Sequence, residues 1–182
     1  LIRLEEKDIP FDPKEEEFRI SGSAGEKKHQ VLISPDVSVC EDCLRELFDP
    51  DDPRYLYPFI NCTNCGPRYT ITRCIPYDRP GTSMACFPMC PTCGKEYTDP
   101  MNRRFHAQPN ACPQCGPHIW LTGASGEEIS TRKQAAQDAA ELLLAGNILA
   151  IKGLGGFHLA CDAASDRAVK LLRRRKNRPG KA

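Results

Sequence analysis

The residues best suited to chemistry are eight cysteines, which form four Cys-x-x-Cys pairs in two sets. In each set, eighteen residues separate the first pair from the second. The first set is Cys40, Cys43, Cys62 and Cys65, and the second is Cys90, Cys93, Cys112 and Cys115. Two such pairs supply the four thiolates of a closed tetrahedral zinc site. We therefore expect two structural zinc ions, with pairing inside each set as the simplest geometry and pairing across the sets as the other.

The two sets lie in a duplicated segment, because residues other than cysteine also repeat at an offset of fifty. The matching positions include Glu46 and Glu96, Arg54 and Arg104, and the Gly-Pro dipeptides at 66–67 and 116–117. We call residues 40–67 the first module and residues 90–117 the second module. A glycine follows the last cysteine of each module, where it tolerates the positive backbone angle of a zinc knuckle. The sequence therefore predicts one small fold made twice.

A disulfide framework is the alternative explanation for so many cysteines. The chain has eleven of them among 182 residues, whereas secreted disulfide scaffolds are usually short and contain an even number. Cys74, Cys86 and Cys161 lie outside the two sets and are expected to be free thiols. Reduced thiols indicate a cytoplasmic protein, and the sequence shows neither a signal peptide nor a long apolar run.

The charge of the cysteine-rich region bears on its partners. Residues 40–117 hold eight Lys or Arg and nine Asp or Glu, and a zinc ion bound by four thiolates would leave a further net negative charge. Such a region does not attract a phosphate backbone. We therefore expect the modules not to bind nucleic acid. One alternative function is a stand-alone zinc-ribbon module for nucleic acid or protein, and the charge weakens only its nucleic-acid version. A redox or chaperone module of the DnaJ type is a third possibility, but its glycine-rich repeat is absent.

The chain changes character at Ser130, where helix and strand patterns replace the cysteine-rich pattern. A small hairpin is predicted just before this point, at 118–129. The elements predicted after it are a helix at 131–145, a buried strand at 148–152, a glycine turn at 153–156, a strand at 157–161 and a helix at 166–175. Gly146 can end the first of these helices and Ser165 can cap the second. This order is the opening of an α/β domain, too short to be complete.

A basic segment follows the last predicted strand. Residues 166–181 hold eight Lys or Arg and one Asp. A run of this kind is usually a solvated helix face, and the alternative is a binding site for an anion such as a triphosphate. His106 lies inside the second module, but all four cysteines are present there, so a structural or surface role is expected for it.

Four longer segments carry specific motifs: residues 54–71, Pro-Tyr-Asp-Arg-Pro at 76–80, residues 103–117 and residues 152–163. They resemble the HypF-type carbamoyltransferases that mature [NiFe]-hydrogenases. That family combines an acylphosphatase-like domain, tandem zinc fingers, a YrdC-like domain and a further C-terminal domain. The implied fold is a small zinc-stabilised α+β structure, with tandem four-cysteine zinc-finger modules followed by the beginning of a YrdC-like α/β domain.

The resemblance also implies domain boundaries. Residues 1–25 would be the end of the acylphosphatase-like domain and a connector, residues 33–123 the tandem zinc-finger domain, and residues 130–182 the N-terminal part of the YrdC-like domain. We therefore expect the chain to be a piece of a larger parent protein, and we expect this piece alone to be inactive.

The implied activity is ATP-dependent carbamoyl transfer. In this family, carbamoyl phosphate is hydrolysed and the carbamate is adenylated with ATP and Mg. The carbamoyl group then passes to the C-terminal cysteine of the partner protein HypE, where it becomes a cyanide ligand of the hydrogenase. Lys176 and Arg178 match the Lys-x-Arg motif with which YrdC-like domains bind nucleotide, so the resemblance favours anion binding by the basic segment. It assigns no catalytic residue within this chain.

Overall fold

The structure is a computed structural model that describes residues 32–178 and Gly180. The predicted acylphosphatase-like end and connector at 1–25 lie outside the described residues. Among the residues that are described, none of the helices has the length and apolar character needed to cross a membrane.

Each module contains one short helix that begins directly after its first cysteine. Helix α1 spans Glu41–Phe48 and helix α2 spans Pro91–Thr98, at the same place in the repeat. Two acidic residues in the first turn of α1 complement the positive end of the helix dipole, and α2 instead begins with a proline, whose fixed φ suits that position. The sequence between the two cysteine pairs of the first module predicts a short helical turn at 43–48, and the structure confirms it with a helix that starts two residues earlier.

The duplication extends to backbone conformation. Leu56 and His106, fifty residues apart, both adopt positive φ angles, of 55° and 50°. The Leu56 amide donates a hydrogen bond to the Leu47 carbonyl at 2.8 Å, and the His106 amide donates to Tyr97 in the same way at 3.0 Å. Non-glycine residues seldom adopt this conformation. Its recurrence shows that the two modules share a backbone path as well as a cysteine spacing.

The segment between the modules contains short 3-10 turns and one isolated antiparallel bridge, between Thr72 and Thr82. Two of them span Arg79–Gly81 and Ser83–Cys86. The Arg79 guanidinium fastens this segment to the second module by donating to the carbonyl oxygens of Gln108 at 2.6 Å and Asn110 at 2.8 Å. The connection is therefore anchored by hydrogen bonds and not by regular secondary structure.

After the second module, the described chain forms two antiparallel hairpins and two helices. These elements are β1 (Trp120–Thr122), β2 (Glu128–Thr131), α3 (Arg132–Leu144), β3 (Leu149–Lys152), β4 (Phe157–Ala160) and α4 (Asp166–Arg175). Gly146 follows α3 with a φ of 83°, and the Ser165 hydroxyl accepts a hydrogen bond from the Ala168 amide at the start of α4. The predicted order of elements is confirmed, as are Gly146 at the end of α3 and Ser165 at the start of α4.

The predicted burial of the strand at 148–152 is wrong. Ile151 in β3 is 48% exposed, and Phe157 in β4 is 70% exposed. Within the described residues this sheet consists of two strands, which is too few to bury its apolar side chains. The main apolar core lies instead in the first module, where Tyr57 and Ile60 pack with buried cysteines.

Candidate metal centres

The first set of cysteines brings four sulfur atoms within 4.8 Å of one another, and we call this group the first cluster. The Sγ–Sγ distances are 3.7 Å for Cys40 and Cys62, 3.8 Å for Cys62 and Cys65, and 3.6 Å for Cys65 and Cys43. A zinc ion with Zn–S bonds of about 2.3 Å separates its ligands by roughly 3.8 Å. The cluster therefore fits a zinc ion without rearrangement.

The second set forms an equivalent arrangement, the second cluster. Its Sγ–Sγ distances are 3.7 Å for Cys90 and Cys112, 3.8 Å for Cys112 and Cys115, and 3.7 Å for Cys115 and Cys93. Each cluster draws its four sulfur atoms from one set, so the structure favours local pairing. All eleven cysteines are free, which contradicts the disulfide alternative, and the two clusters are compatible with two zinc ions.

In the first cluster, a helix start and a tight turn position the sulfur atoms. Cys40 is the N-cap of α1 and Cys43 lies in its first turn. On the opposite side, the amide of Asn64 donates to Cys62 Sγ at 3.3 Å. The chain then turns at Gly66, which exchanges two backbone hydrogen bonds with Val37.

The glycine after each last cysteine leaves no room for a side chain in either module, and in the first module its backbone angle is a second constraint. Gly66 has the predicted positive φ, at 97°, and a Cβ there would lie 2.6 Å from Asn61 Cβ. Gly116 is not among the residues with positive φ, so the predicted conformational reason is wrong for it. A Cβ at Gly116 would instead collide with the Tyr57 hydroxyl and Ala111 Cβ, which makes its constraint one of space.

Arg54 of the first module reaches into the second module. Its Nη1 and Nη2 donate to the Glu96 carboxylate at 2.9 and 2.5 Å, and its Nε donates to the Ala111 carbonyl at 2.9 Å. Burial would raise the pKa of Glu96, but the hydrogen bond and charge of Arg54, together with the charge of Arg104, hold it below its usual value. This buried pair is therefore ionised on both sides.

Arg104 of the second module makes the reciprocal contacts with the first. Its Nε donates to the Asn61 carbonyl at 3.1 Å and its Nη2 pairs with Glu46. Each partner lies fifty residues before the corresponding partner of Arg54. The two modules are thus joined by a symmetric exchange of buried arginines. The repeat in the sequence shows that both arginines recur, but it does not show that each one reaches into the other module.

Guanidinium groups also reach the sulfur atoms across the module boundary. Arg103 Nη2 donates to Cys43 Sγ at 2.9 Å and to Cys40 Sγ at 3.5 Å. Arg54 Nη2 donates to Cys93 Sγ at 3.5 Å. Hydrogen bonds of this kind stabilise the negative charge of metal-binding thiolates. Sequence reasoning missed both contacts, because neither arginine is near its target in the chain.

Each cluster includes one cysteine that loses its proton readily. Burial would raise the pKa of Cys40, but a backbone hydrogen bond from Cys43 and side-chain hydrogen bonds that include Arg103 lower it to about 6. The pKa of Cys115 is lowered to about 7 because backbone hydrogen bonds again outweigh burial. Burial raises the pKa of Cys93. Near neutral pH the Cys40 sulfur is thus largely thiolate and the Cys115 sulfur is partly thiolate, and the thiolate is the form that binds metal.

The remaining predicted residues lie outside the clusters. The His106 ring contacts the rings of Tyr97 and Phe105, with centroids 4.8 and 4.6 Å apart, and it belongs to neither cluster. Lys176 and Arg178 are exposed at the C-terminal end of α4. That end of a helix dipole attracts cations, so their position alone supports helix stabilisation as well as anion binding.

Two protein families match segments of this chain. The family described as "HypF finger" matches residues 39–72 and again residues 89–122. The Sua5/YciO/YrdC family, described as "Telomere recombination", matches residues 141–182. The first pair of matches contains the two clusters, and the last match contains β3, β4 and α4.

Known relatives match most of this chain. The chain is 53% identical over 172 residues to Carbamoyltransferase HypF of Rhodobacter capsulatus, covering 93% of this chain and 22% of the relative. It is 57% identical over 159 residues to the Synechocystis sp. protein of the same name, covering 87% and 20%. The chain therefore spans about a fifth of the length of these relatives.

Solved structures agree with the sequence matches. A crystal structure of T. kodakarensis HypF aligns with a TM-score of 0.77 and 55% identity, covering 85% of this chain and 20% of that one. A structure of full-length HypF in a phosphate- and nucleotide-bound form aligns with a TM-score of 0.69 and 55% identity, covering 82% and 19%. These matches identify the chain as a HypF-type sequence that carries the tandem fingers and the beginning of the Sua5/YrdC-like region.

Proposed function

We propose that this chain is the zinc-structured centre of an ATP-dependent carbamoyltransferase. In the parent protein, carbamoyl phosphate and ATP would yield carbamoyl adenylate, and the carbamoyl group would pass to the C-terminal cysteine of HypE. The observation that carries the proposal is the order of two four-cysteine clusters followed by a Sua5/YrdC-like start, in a chain 53–57% identical to relatives named carbamoyltransferase. The eleven cysteines, none of which forms a disulfide, support a cytoplasmic location for this protein.

The proposed domains follow the sequence expectation. Residues 1–25 would close an acylphosphatase-like domain, residues 33–123 would form the tandem finger domain, and residues 130–182 would begin the nucleotide-binding domain. The finger matches at 39–72 and 89–122 and the Sua5/YrdC match at 141–182 support the last two assignments.

The eight clustered cysteines would be the zinc ligands, and their role would be structural. Four thiolates occupy every position of a tetrahedral zinc ion, so the metal has no open place for water or substrate. The paired modules, held together by Arg54 and Arg104, would fix the spacing of the flanking domains. A fixed spacing would let an unstable carbamate pass between sites with little exposure to water.

Nucleotide binding would fall to the segment after α4. Lys176 and Arg178 are cations placed two residues apart at one helix end, and they would contact the phosphates of Mg-bound ATP. A guanidinium can bind a phosphate group bidentately, while an ammonium acts as a point charge. A solved structure of full-length HypF in a phosphate- and nucleotide-bound form supports nucleotide binding by the parent protein.

The test is transfer by the zinc-loaded parent protein. With carbamoyl phosphate, ATP and HypE, mass spectrometry should find one carbamoyl group on the C-terminal cysteine of HypE, and omission of ATP should abolish it. HypE with that cysteine replaced by alanine is the control. A zinc-replete protein that binds ATP but leaves wild-type HypE unmodified would overturn the proposed activity.

A further inference from the structure

The two clusters share one sulfur geometry but differ in how far they are shielded. In the first cluster, three of the four cysteines are almost fully buried; they are Cys43 at 0%, Cys62 at 1% and Cys65 at 0% exposure. In the second cluster, only Cys93 is buried to this degree, and Cys90, Cys112 and Cys115 are partly exposed. The second cluster therefore presents three partly exposed cysteines to a reagent in solution, whereas the first cluster presents one, Cys40.

The clusters also differ in the hydrogen bonds that reach them from arginine. Arg103 contacts two sulfur atoms of the first cluster, and its Nη1 is held by Glu46 at 2.8 Å. The position fifty residues before Arg103 is Pro53, which has no side-chain donor. Among the described residues, the second cluster therefore receives one arginine contact, from Arg54 to Cys93 at 3.5 Å, and the Arg54 guanidinium is shared with Glu96.

Both differences act in the same direction. A zinc ion with four thiolates carries a net negative charge, and an N–H donor at sulfur withdraws electron density from the lone pair that would attack an electrophile. Burial excludes the electrophile as well. We propose that the second cluster is a modification site for soft electrophiles and gives up its zinc first, and that Arg103 is the residue that protects the first cluster.

With a maleimide probe, the reaction at the second cluster is alkylation of a cysteine sulfur. A lone pair of a zinc-bound thiolate forms a bond to one alkene carbon, and the displaced π electrons form an enolate that takes a proton from water. The alkylated sulfur is a thioether and a much weaker ligand, so its zinc–sulfur bond breaks. The zinc ion leaves once too few thiolates remain to hold it.

The experiment follows zinc release and alkylation together. The full zinc-loaded chain is treated with limiting N-ethylmaleimide while a chromogenic chelator reports free zinc, and mass spectrometry maps the modified cysteines. We expect zinc to be released in two phases, and the fast phase should coincide with alkylation at the second cluster. The slow phase should be about tenfold slower, which is the size of effect that loss of an outer contact has at a metal site. Simultaneous release, or earlier alkylation of the first cluster, would overturn the proposal.

Two variants test the role of arginine in opposite directions. Arg103→Gln should accelerate the slow phase by about tenfold, whereas Pro53→Arg should slow the fast phase by placing a guanidinium beside the second cluster. Arg73→Gln, at an exposed arginine of the connecting segment, is the matched control and should change neither phase. If neither test variant changes its phase, arginine does not protect the clusters. If Arg103→Gln does not retain two zinc ions, the result for Pro53→Arg decides whether arginine protects a cluster.

This inference rests on the proposed zinc occupancy, which elemental analysis establishes before any reagent is added. A chain with fewer than two zinc ions contradicts the proposed occupancy. A chain with two ions released in one phase contradicts only the difference between the clusters.

Discussion

At the scale of single residues, arginines connect each cysteine cluster to the opposite module. Arg103 donates to Cys43 of the first cluster, and Arg54 donates to Cys93 of the second. A four-thiolate zinc site carries surplus negative charge, and partly buried guanidinium groups offset it without occupying a coordination position. The negative charge of each site is thus partly offset by an arginine from the other copy of the repeat.

The first prediction at this scale concerns zinc stoichiometry. The wild-type chain should contain two zinc ions, and Cys40→Ser should contain one, because it removes a ligand from a single closed site. Cys74→Ser is the control, since Cys74 is exposed and outside both clusters, and it should keep two. Elemental analysis of the purified proteins gives the count. One ion in the wild type, or equal loss from both clusters in Cys40→Ser, would contradict local pairing.

A second prediction concerns the buried Arg54–Glu96 pair. Arg54→Ala would leave the Glu96 carboxylate buried without its main partner, so the zinc-loaded protein should lose about 3–5 kcal/mol of unfolding free energy. The Arg45–Asp42 pair on α1 is the matched control, because its side chains are 74% and 56% exposed. Arg45→Ala should cost at most about 1 kcal/mol. Chemical denaturation measures both values.

Comparable costs for Arg54→Ala and Arg45→Ala would show that the exchange of arginines contributes little to the joint between modules. The double variant Arg54→Ala with Glu96→Gln separates the two parts of the cost. If the unpaired charge causes most of the loss, this double variant should be more stable than Arg54→Ala alone.

At the scale of elements, local chemistry determined what could be predicted. Helix α4 has the predicted bounds because Ser165 caps it and its first turns carry the expected pattern. Each cysteine cluster was predictable because all of its ligands lie within one repeat unit. Such features depend on residues close together in sequence, so spacing and residue type suffice.

Features that depend on distant packing were not predictable. The exchange of Arg54 and Arg104 joins residues more than forty positions apart, and the repeat shows only that both arginines recur. Gly116 looked equivalent to Gly66, yet its constraint comes from Tyr57, which lies in the other module. The strand at 148–152 was expected to be buried from its apolar residues, whereas burial depends on what covers the sheet.

At the scale of the whole molecule, charge is unevenly distributed. Residues 40–117 hold eight basic and nine acidic side chains, before the negative charge of zinc-bound thiolates is added. The last turn of α4 carries three consecutive arginines, from Arg173 to Arg175. Any attraction for polyanions is therefore concentrated in the C-terminal segment.

This distribution predicts weak binding to nucleic acid. The chain should bind duplex DNA only at low salt, because few cations are available to displace counterions. Joint replacement of Arg173, Arg174 and Arg175 by glutamine should abolish that residual binding, which fluorescence anisotropy can measure. A sub-micromolar complex at physiological salt that survives this replacement would assign nucleic-acid binding to the modules.

The last prediction concerns nucleotide binding by the parent protein. Lys176→Ala and Arg178→Ala should each weaken ATP binding by about tenfold or more, because a charge-assisted contact with phosphate would be lost. Lys170→Ala is the matched control, since it removes an exposed cation from the same helix. ATP affinity comes from calorimetry, and the rate of pyrophosphate release reports adenylate formation from carbamoyl phosphate.

Zinc content and hydrolysis of carbamoyl phosphate should stay at wild-type levels in all three variants, since the proposed sites for these properties lie elsewhere. That pattern would separate a nucleotide contact from a general loss of structure. If Lys176→Ala and Arg178→Ala release pyrophosphate at the wild-type rate with unchanged ATP dependence, the two residues do not hold the nucleotide. The basic segment would then act as a solvated helix end, where its cations complement the negative pole of the α4 dipole.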